Sequence, residues 1–139
     1  MPEAGVQQAK SQRARKAICE AAIDSLVDVG YAETSLNRVA TTAGFSKGAL
    51  QHHFPGKEDL VAATVDELLA RTFRPRSERD RSTDVEQEIL RAWNRFINTP
   101  AYRALMEILG AARTDKALQK RLSSELGAWG RRLAQQTRD

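Results

Sequence analysis

The chain has 139 residues, 41% of them apolar and 29% charged, enough for one compact core or for a small domain with an appendage. No apolar run approaches the roughly eighteen residues of a membrane span, and the polar start from Met1 to Gln12 has no apolar stretch suited to secretion, so no membrane partner and a cytoplasmic location are expected. A net charge of +4 favours a polyanionic partner, and a single cysteine, Cys19, excludes a disulfide within the chain and is expected to be a buried thiol.

Helical spacing recurs throughout, without sustained alternation or hairpin turns, so the fold class is all-α. A first helix is expected from about Gln12 to Val29, with Ile18, Ala22 and Leu26 on one face and Gly30 as its stop. Ser35 caps a short second helix that turns Leu36, Val39 and Ala40 inward and ends at Gly44. Ser46 caps a third, ending near Phe54, and Pro55-Gly56 separates it from a fourth over Lys57–Phe73 with Leu60, Val61, Val65, Leu68 and Leu69 as its stripe. Arginines crowd the stretch from Arg71 to Arg81 around Pro75, which predicts a solvated linker and a subdomain boundary.

Thr83 and Glu86 stand at capping-box spacing before a fifth helix carrying Val85, Ile89, Trp93, Phe96 and Ile97 to about Asn98. Thr99-Pro100 opens a sixth, with Tyr102, Leu105, Met106 and Leu109 on one face and Gly110 weakening it. Thr114 caps a seventh bearing Leu118, Leu122, Leu126, Trp129 and Leu133, which fades into Gln135–Asp139.

The functional signal lies between Thr34 and Lys57. Two short helices joined by a tight turn are what a helix-turn-helix needs, the first bracing the second in a major groove about 12 Å wide. Between Glu33 and Glu58 there is no acidic residue, while Arg38, Lys47 and Lys57 fall in that window, which suits an approach to phosphate. Along the third helix Ala49, Leu50, His53 and Phe54 share an inward face, leaving Lys47, Gly48, Gln51 and His52 outward. Lys47 can pair with phosphate or guanine, Gly48 lets backbone approach the duplex, Gln51 can bond an adenine edge, and His52 can donate to a base or phosphate. Lys57 at the start of the fourth helix can hold phosphate. The amide-rich helix starts at Ser35 and Ser46 suit phosphate, and Asn37 can reach a base, although both serines are helix caps first. His53 is divided between packing and phosphate contact.

These residues carry a resemblance. Gly30-Tyr31, Thr34-Ser35, Val39-Ala40, Ala43-Gly44-Phe45-Ser46-Lys47-Gly48-Ala49-Leu50, His53-Phe54 and Lys57-Glu58-Asp59-Leu60 make the stretch from about Arg15 to Val65 similar to the tetracycline-repressor-like (TetR) family of transcriptional regulators. The resemblance implies a helix-turn-helix DNA-binding domain over 1–57 and a helical regulatory, ligand-binding and oligomerisation domain over 58–139. It also implies a homodimer on a palindromic double-stranded operator, released by a small apolar or aromatic effector. Two departures stand out: the family usually has tyrosine where this chain has Gln51, and it usually continues into two further long helices that make the dimer interface. The regulatory domain is therefore expected to be truncated, or to dimerise through another surface.

Trp93, Phe96, Tyr102, Met106 and Trp129 are candidates for an effector cavity, with core packing as the competing role. No catalytic residue, metal site or cofactor is expected. His52 and His53 point about 100° apart on a helix without further ligands, and Glu86, Glu88, Glu107 and Glu125 fall on amphipathic helices where solvated charge is ordinary. The alternative function is a protein-interaction or assembly module built on the same fold without specific DNA binding.

Overall fold

A computed structural model describes residues 2–72 and 84–138, all of them in helices or their connections. Among the described residues seven α-helices follow in order: α1 (Pro2–Glu33), α2 (Leu36–Ala43), α3 (Lys47–His53), α4 (Lys57–Thr72), α5 (Val85–Ala92), α6 (Pro100–Ala112) and α7 (Lys116–Arg138). The linker expected over Arg71–Arg81 lies outside the described residues except for Arg71 and Thr72, which close α4.

The helix ends are set locally. Ser35 Oγ accepts from the Arg38 amide at 3.1 Å and Ser46 Oγ from the Ala49 amide at 3.1 Å, each quenching a first-turn donor that has no partner within its helix. Gly44 ends α2 at φ 80°, a left-handed conformation that glycine adopts without a Cβ penalty. Thr99 caps α6 as expected. Two other caps differ from expectation. Asp84 accepts from the Glu86 amide at the start of α5, while Thr83 lies outside the described residues. Asp115, not Thr114, accepts from the Leu118 amide to start α7, because the chain enters the helix one residue later and puts the carboxylate three residues before that amide.

Helix α1 begins ten residues before the expected Gln12, as its polar first turns continue the same helix. Its regular course breaks at Gly30 (φ 84°, ψ 176°), where the expected stop falls. Ile18, Ala22 and Leu26 are buried, as their spacing predicts. With Cys19, Val39, Ala40, Leu50, Phe54 and Leu60 the first part of this face forms one core; Leu26 joins a second with Val61, Val65, Leu68, Ala104, Ile108, Leu118 and Leu122. Helices α1 and α4 contribute to both cores, so they couple the helix-turn-helix to the rest of the chain.

Three faces differ from the expected ones. Ala49 is exposed, leaving α3 held by Leu50 and the following Phe54. On α6 the buried residues are Ala104 and Ile108, while Met106 is 46% exposed and Leu109 is exposed too, because the small Ala101 and Ala104 let this side lie close against α1. The α5 stripe is outside: Val85 is 72% and Trp93 53% exposed, and Ile89 and Ile97 are exposed as well. After Ala92 the helix widens into a π-turn over Trp93–Ile97, closed by the Asn98 amide donating to Trp93 O at 2.7 Å. No helix among the described residues is long and apolar enough to cross a membrane.

Candidate DNA-reading face

Helix α3 is short and gains its rigidity from its anchors. Leu50 and Phe54 are buried against Ile18, Cys19 and Ala22 of α1 and Val39 and Ala40 of α2, while the Phe45 amide donates to Ala40 O at 2.9 Å and tightens the turn. Burying side chains of this size stabilises by about 1.5–3 kcal/mol each. With that side committed, Lys47, Gly48, Gln51 and His52 stand exposed together, the outward set that the helical spacing predicts. Arg15 secures the far end of α3: its guanidinium lies 4.5 Å from the Phe54 ring centroid and donates to His53 O at 3.3 Å.

His53 is half-buried, and burial first, then the neighbouring His52 and Arg15 charges, lower its pKa below 6.5. It is therefore mainly neutral at pH 7, suited to packing and hydrogen bonding rather than to neutralising phosphate. Ser35, Asn37 and Arg38 border a shallow hollow at the start of α2, with Thr41 bonded back to Asn37 O at 2.9 Å. Arg38 is exposed there, a cation of the acid-free window that the spacing along α3 does not bring into the site and the start of α2 does.

Lys57 is engaged elsewhere. Its ammonium donates to Tyr31 O at 2.8 Å and sits 4.0 Å from the Tyr31 ring centroid, and burial lowers its pKa. Two N–H donors remain for a phosphate. The same turn receives Glu107 of α6, whose Oε2 accepts from the Tyr31 amide at 3.1 Å, and Thr34, which donates to Gly30 O at 2.8 Å. Burial raises the Tyr31 phenol to about 12, so it stays neutral. The Gly30–Tyr31 turn thus ties α1, α4 and α6 together.

The four effector candidates whose side chains are described do not come together. Trp93 and Met106 are exposed, Tyr102 and Trp129 half-buried, and the Phe96 side chain lies outside the described residues. Of the four described ones, Trp129 alone lines the cleft between α1, α4 and α7.

Comparison with known proteins decides the family. Bacterial regulatory proteins of the tetR family match at residues 18–64, from the middle of α1 into α4. An uncharacterized HTH-type transcriptional regulator of Mycobacterium tuberculosis is 31% identical over 134 residues, covering 94% of this chain and 69% of that protein. The chain belongs to the tetR family. The HTH-type transcriptional regulator TtgR of Pseudomonas putida is 32% identical over 106 residues, covering 72% of this chain and 50% of that one. The crystal structure of a TetR-family transcriptional regulator from Rhodococcus sp. superposes with a TM-score of 0.63 at 27% identity, covering 84% of this chain and 65% of that one. This tetR-family chain, a DNA-binding transcriptional regulator, thus spans about two thirds of the length of its Mycobacterium and Rhodococcus counterparts.

Proposed function

We propose that the chain is a cytoplasmic repressor that binds a palindromic operator as a homodimer and leaves it when a small apolar or aromatic effector binds. In this reading residues 1–57 read DNA and 58–139 regulate and oligomerise. The observation that carries it is α3, pinned on one side by Leu50 and Phe54 and presenting Lys47, Gly48, Gln51 and His52 on the other with no carboxylate between Glu33 and Glu58. Gln51 reads a base, Lys47 and His52 hold phosphate or a base edge, and Gly48 admits the backbone to the groove. The helix starts at Ser35 and Ser46 receive phosphates, Asn37 reaches inward from α2, and Lys57 adds phosphate contact with the donors that Tyr31 leaves free.

Parallel selection of preferred duplexes by wild type and Gln51→Ala tests this reading. A glutamine bidentate to adenine is worth about 1–3 kcal/mol of discrimination, so the preference at one base pair in each half-site should collapse while flanking positions and the salt slope persist. An unchanged motif with uniformly weaker binding would make Gln51 a backbone contact. Absence of any selected motif in the wild type would defeat the repressor reading.

A further inference from the structure

A cleft of about 740 Å³ opens between α1, α4 and α7, within the usual range for small-molecule sites of about 300–1,000 Å³. Its floor is one stripe of α4, running from Asp59 through Ala63, Asp66 and Glu67 to Ala70. Arg121, Glu125, Trp129 and Arg132 of α7 form one wall; Gln12, Arg15, Lys16 and Cys19 of α1 form the other, and Phe54 closes an end.

The two walls differ in how their charges are paired. On the α4–α7 side every carboxylate of the cleft touches an arginine: Arg121 pairs with Asp59 at 3.1 Å and Glu125 at 3.3 Å, Arg132 with Asp66 at 2.6 Å, and Arg71 with Glu67 at 3.2 Å while it also pairs with Glu20 of α1. On the α1 side the cations are not matched. Arg15 donates to a neutral carbonyl, and among the described residues no carboxylate pairs with Lys16. The Cys19 thiol, held near 11 by burial, adds no negative charge. The half-buried Trp129 of the α7 wall supplies apolar surface for a flat body.

We infer that this cleft binds an amphipathic monoanion, a carboxylate on an aromatic or similarly flat apolar body, with the carboxylate between Lys16 and Arg15 and the apolar body against Trp129. The effect on DNA rests on the repressor reading; the binding itself does not. Arg15 provides the link. A carboxylate is a stronger acceptor for a guanidinium than a peptide carbonyl, so the ligand draws Arg15 away from His53 O and the Phe54 ring and loosens the far end of α3. Ligand and operator then oppose each other by a common factor.

Calorimetric titration of the free protein with 1-naphthoate, 1-naphthamide and 1-naphthylmethylammonium, three probes of one shape and different charge, tests the site. Naphthoate should bind at least about tenfold more tightly than the other two, Lys16→Glu should remove at least about tenfold of that affinity, Lys16→Arg should keep it, and Trp93→Ala on the exposed α5 face should leave it unchanged. Equal binding of the three probes, or naphthoate affinity unaffected by Lys16→Glu, would overturn the site. Operator titrations with and without saturating naphthoate then test the link: weaker operator binding in wild type that disappears in Arg15→Gln is expected, and naphthoate binding that leaves operator affinity unchanged would overturn it. Because the calorimetry contains no DNA, a protein that binds naphthoate but no operator would defeat the repressor reading and leave the site standing.

Discussion

Helices α2–α3 and α5 carry similar amounts of apolar side chain and meet opposite fates. Val39, Ala40, Leu50 and Phe54 are buried against α1 and α4, whereas Val85, Ile89 and Trp93 stand in solvent on a helix with no buried residue. Both have clear helical spacing, so amphipathicity alone does not separate them. The difference lies in the partners: α1 and α4 cross behind the helix-turn-helix and offer it a complementary surface, and no described helix does so for α5.

Paired truncations give the largest test of that contrast. Phe54→Ala should cost about 3–5 kcal/mol, a large part of the 5–15 kcal/mol typical of a folded domain, and should abolish DNA binding by unfolding the reading unit. Trp93→Ala should stay within about 0.5 kcal/mol. Urea melts of the two variants check both values, and equal losses would mean that the α5 face is covered in solution.

A smaller effect is expected at the Gly30–Tyr31 turn that links the two regions. At φ 84° and ψ 176° Gly30 occupies backbone space that is essentially closed to other residues, and a Cβ there would stand 3.0 Å from Glu107 Oε2. Gly30→Ala should cost about 1–3 kcal/mol. Measured against Glu107→Ala alone, which already loses the bond from the Tyr31 amide, Gly30→Ala should cost as much as it does in the wild type, because removing Glu107 relieves the contact and not the backbone; a cost that vanishes in that background would place the strain in the side chain instead.

Lysines at the two ends of the reading unit should separate next. Lys47→Ala should lower the salt slope of DNA binding by about one unit without changing the melting temperature. Lys57→Ala should show a similar drop in slope together with a stability loss of about 1.5 kcal/mol, since its ammonium also bonds Tyr31 O. Salt-series binding and thermal melts distinguish the two, and a Lys57→Ala protein as stable as wild type would refute the structural bond.

The smallest expected effect concerns pH. His53 has a folded-state pKa below its ordinary 6.5, so below that value the unfolded chain takes up a proton that the folded protein refuses. Stability should therefore fall as the pH drops from 6.5 toward the lowered folded value, and level off beneath it. Thermal melts of wild type and His53→Gln between pH 7 and 5 should show the wild type losing more on acidification; parallel curves would show that His53 titrates as in water.

The reading helix was legible in the sequence because its determinants are local. Ser35, Gly44 and Ser46 act within four residues of themselves, and the offsets among Leu50, Gln51, His52 and Phe54 already divide α3 into an anchored and an open side. Ala49 lies outside although helical spacing places it inward, because a small residue at the margin of that face carries too little apolar surface to decide whether it is covered. On α6 the periodic large residues pointed to Met106 and Leu109, but the close approach to α1 selected the side with alanines.

What the sequence by itself determined is the all-α class, the order of the helices, the caps of α2, α3 and α6 and the acid-free window between Glu33 and Glu58, all properties that a few neighbouring residues specify. The tertiary structure alone decided that Arg15 holds the end of α3, that Lys57 is bolted to Tyr31, and that Glu107 reaches the same turn, contacts spanning 38, 26 and 76 residues. It also decided that no described helix covers the α5 stripe and that α1, α4 and α7 border a cleft in which no described carboxylate pairs with Lys16. Such features depend on where helices cross. Crossing is set by the packing of side chains distant in sequence, and periodicity along one helix carries no record of it.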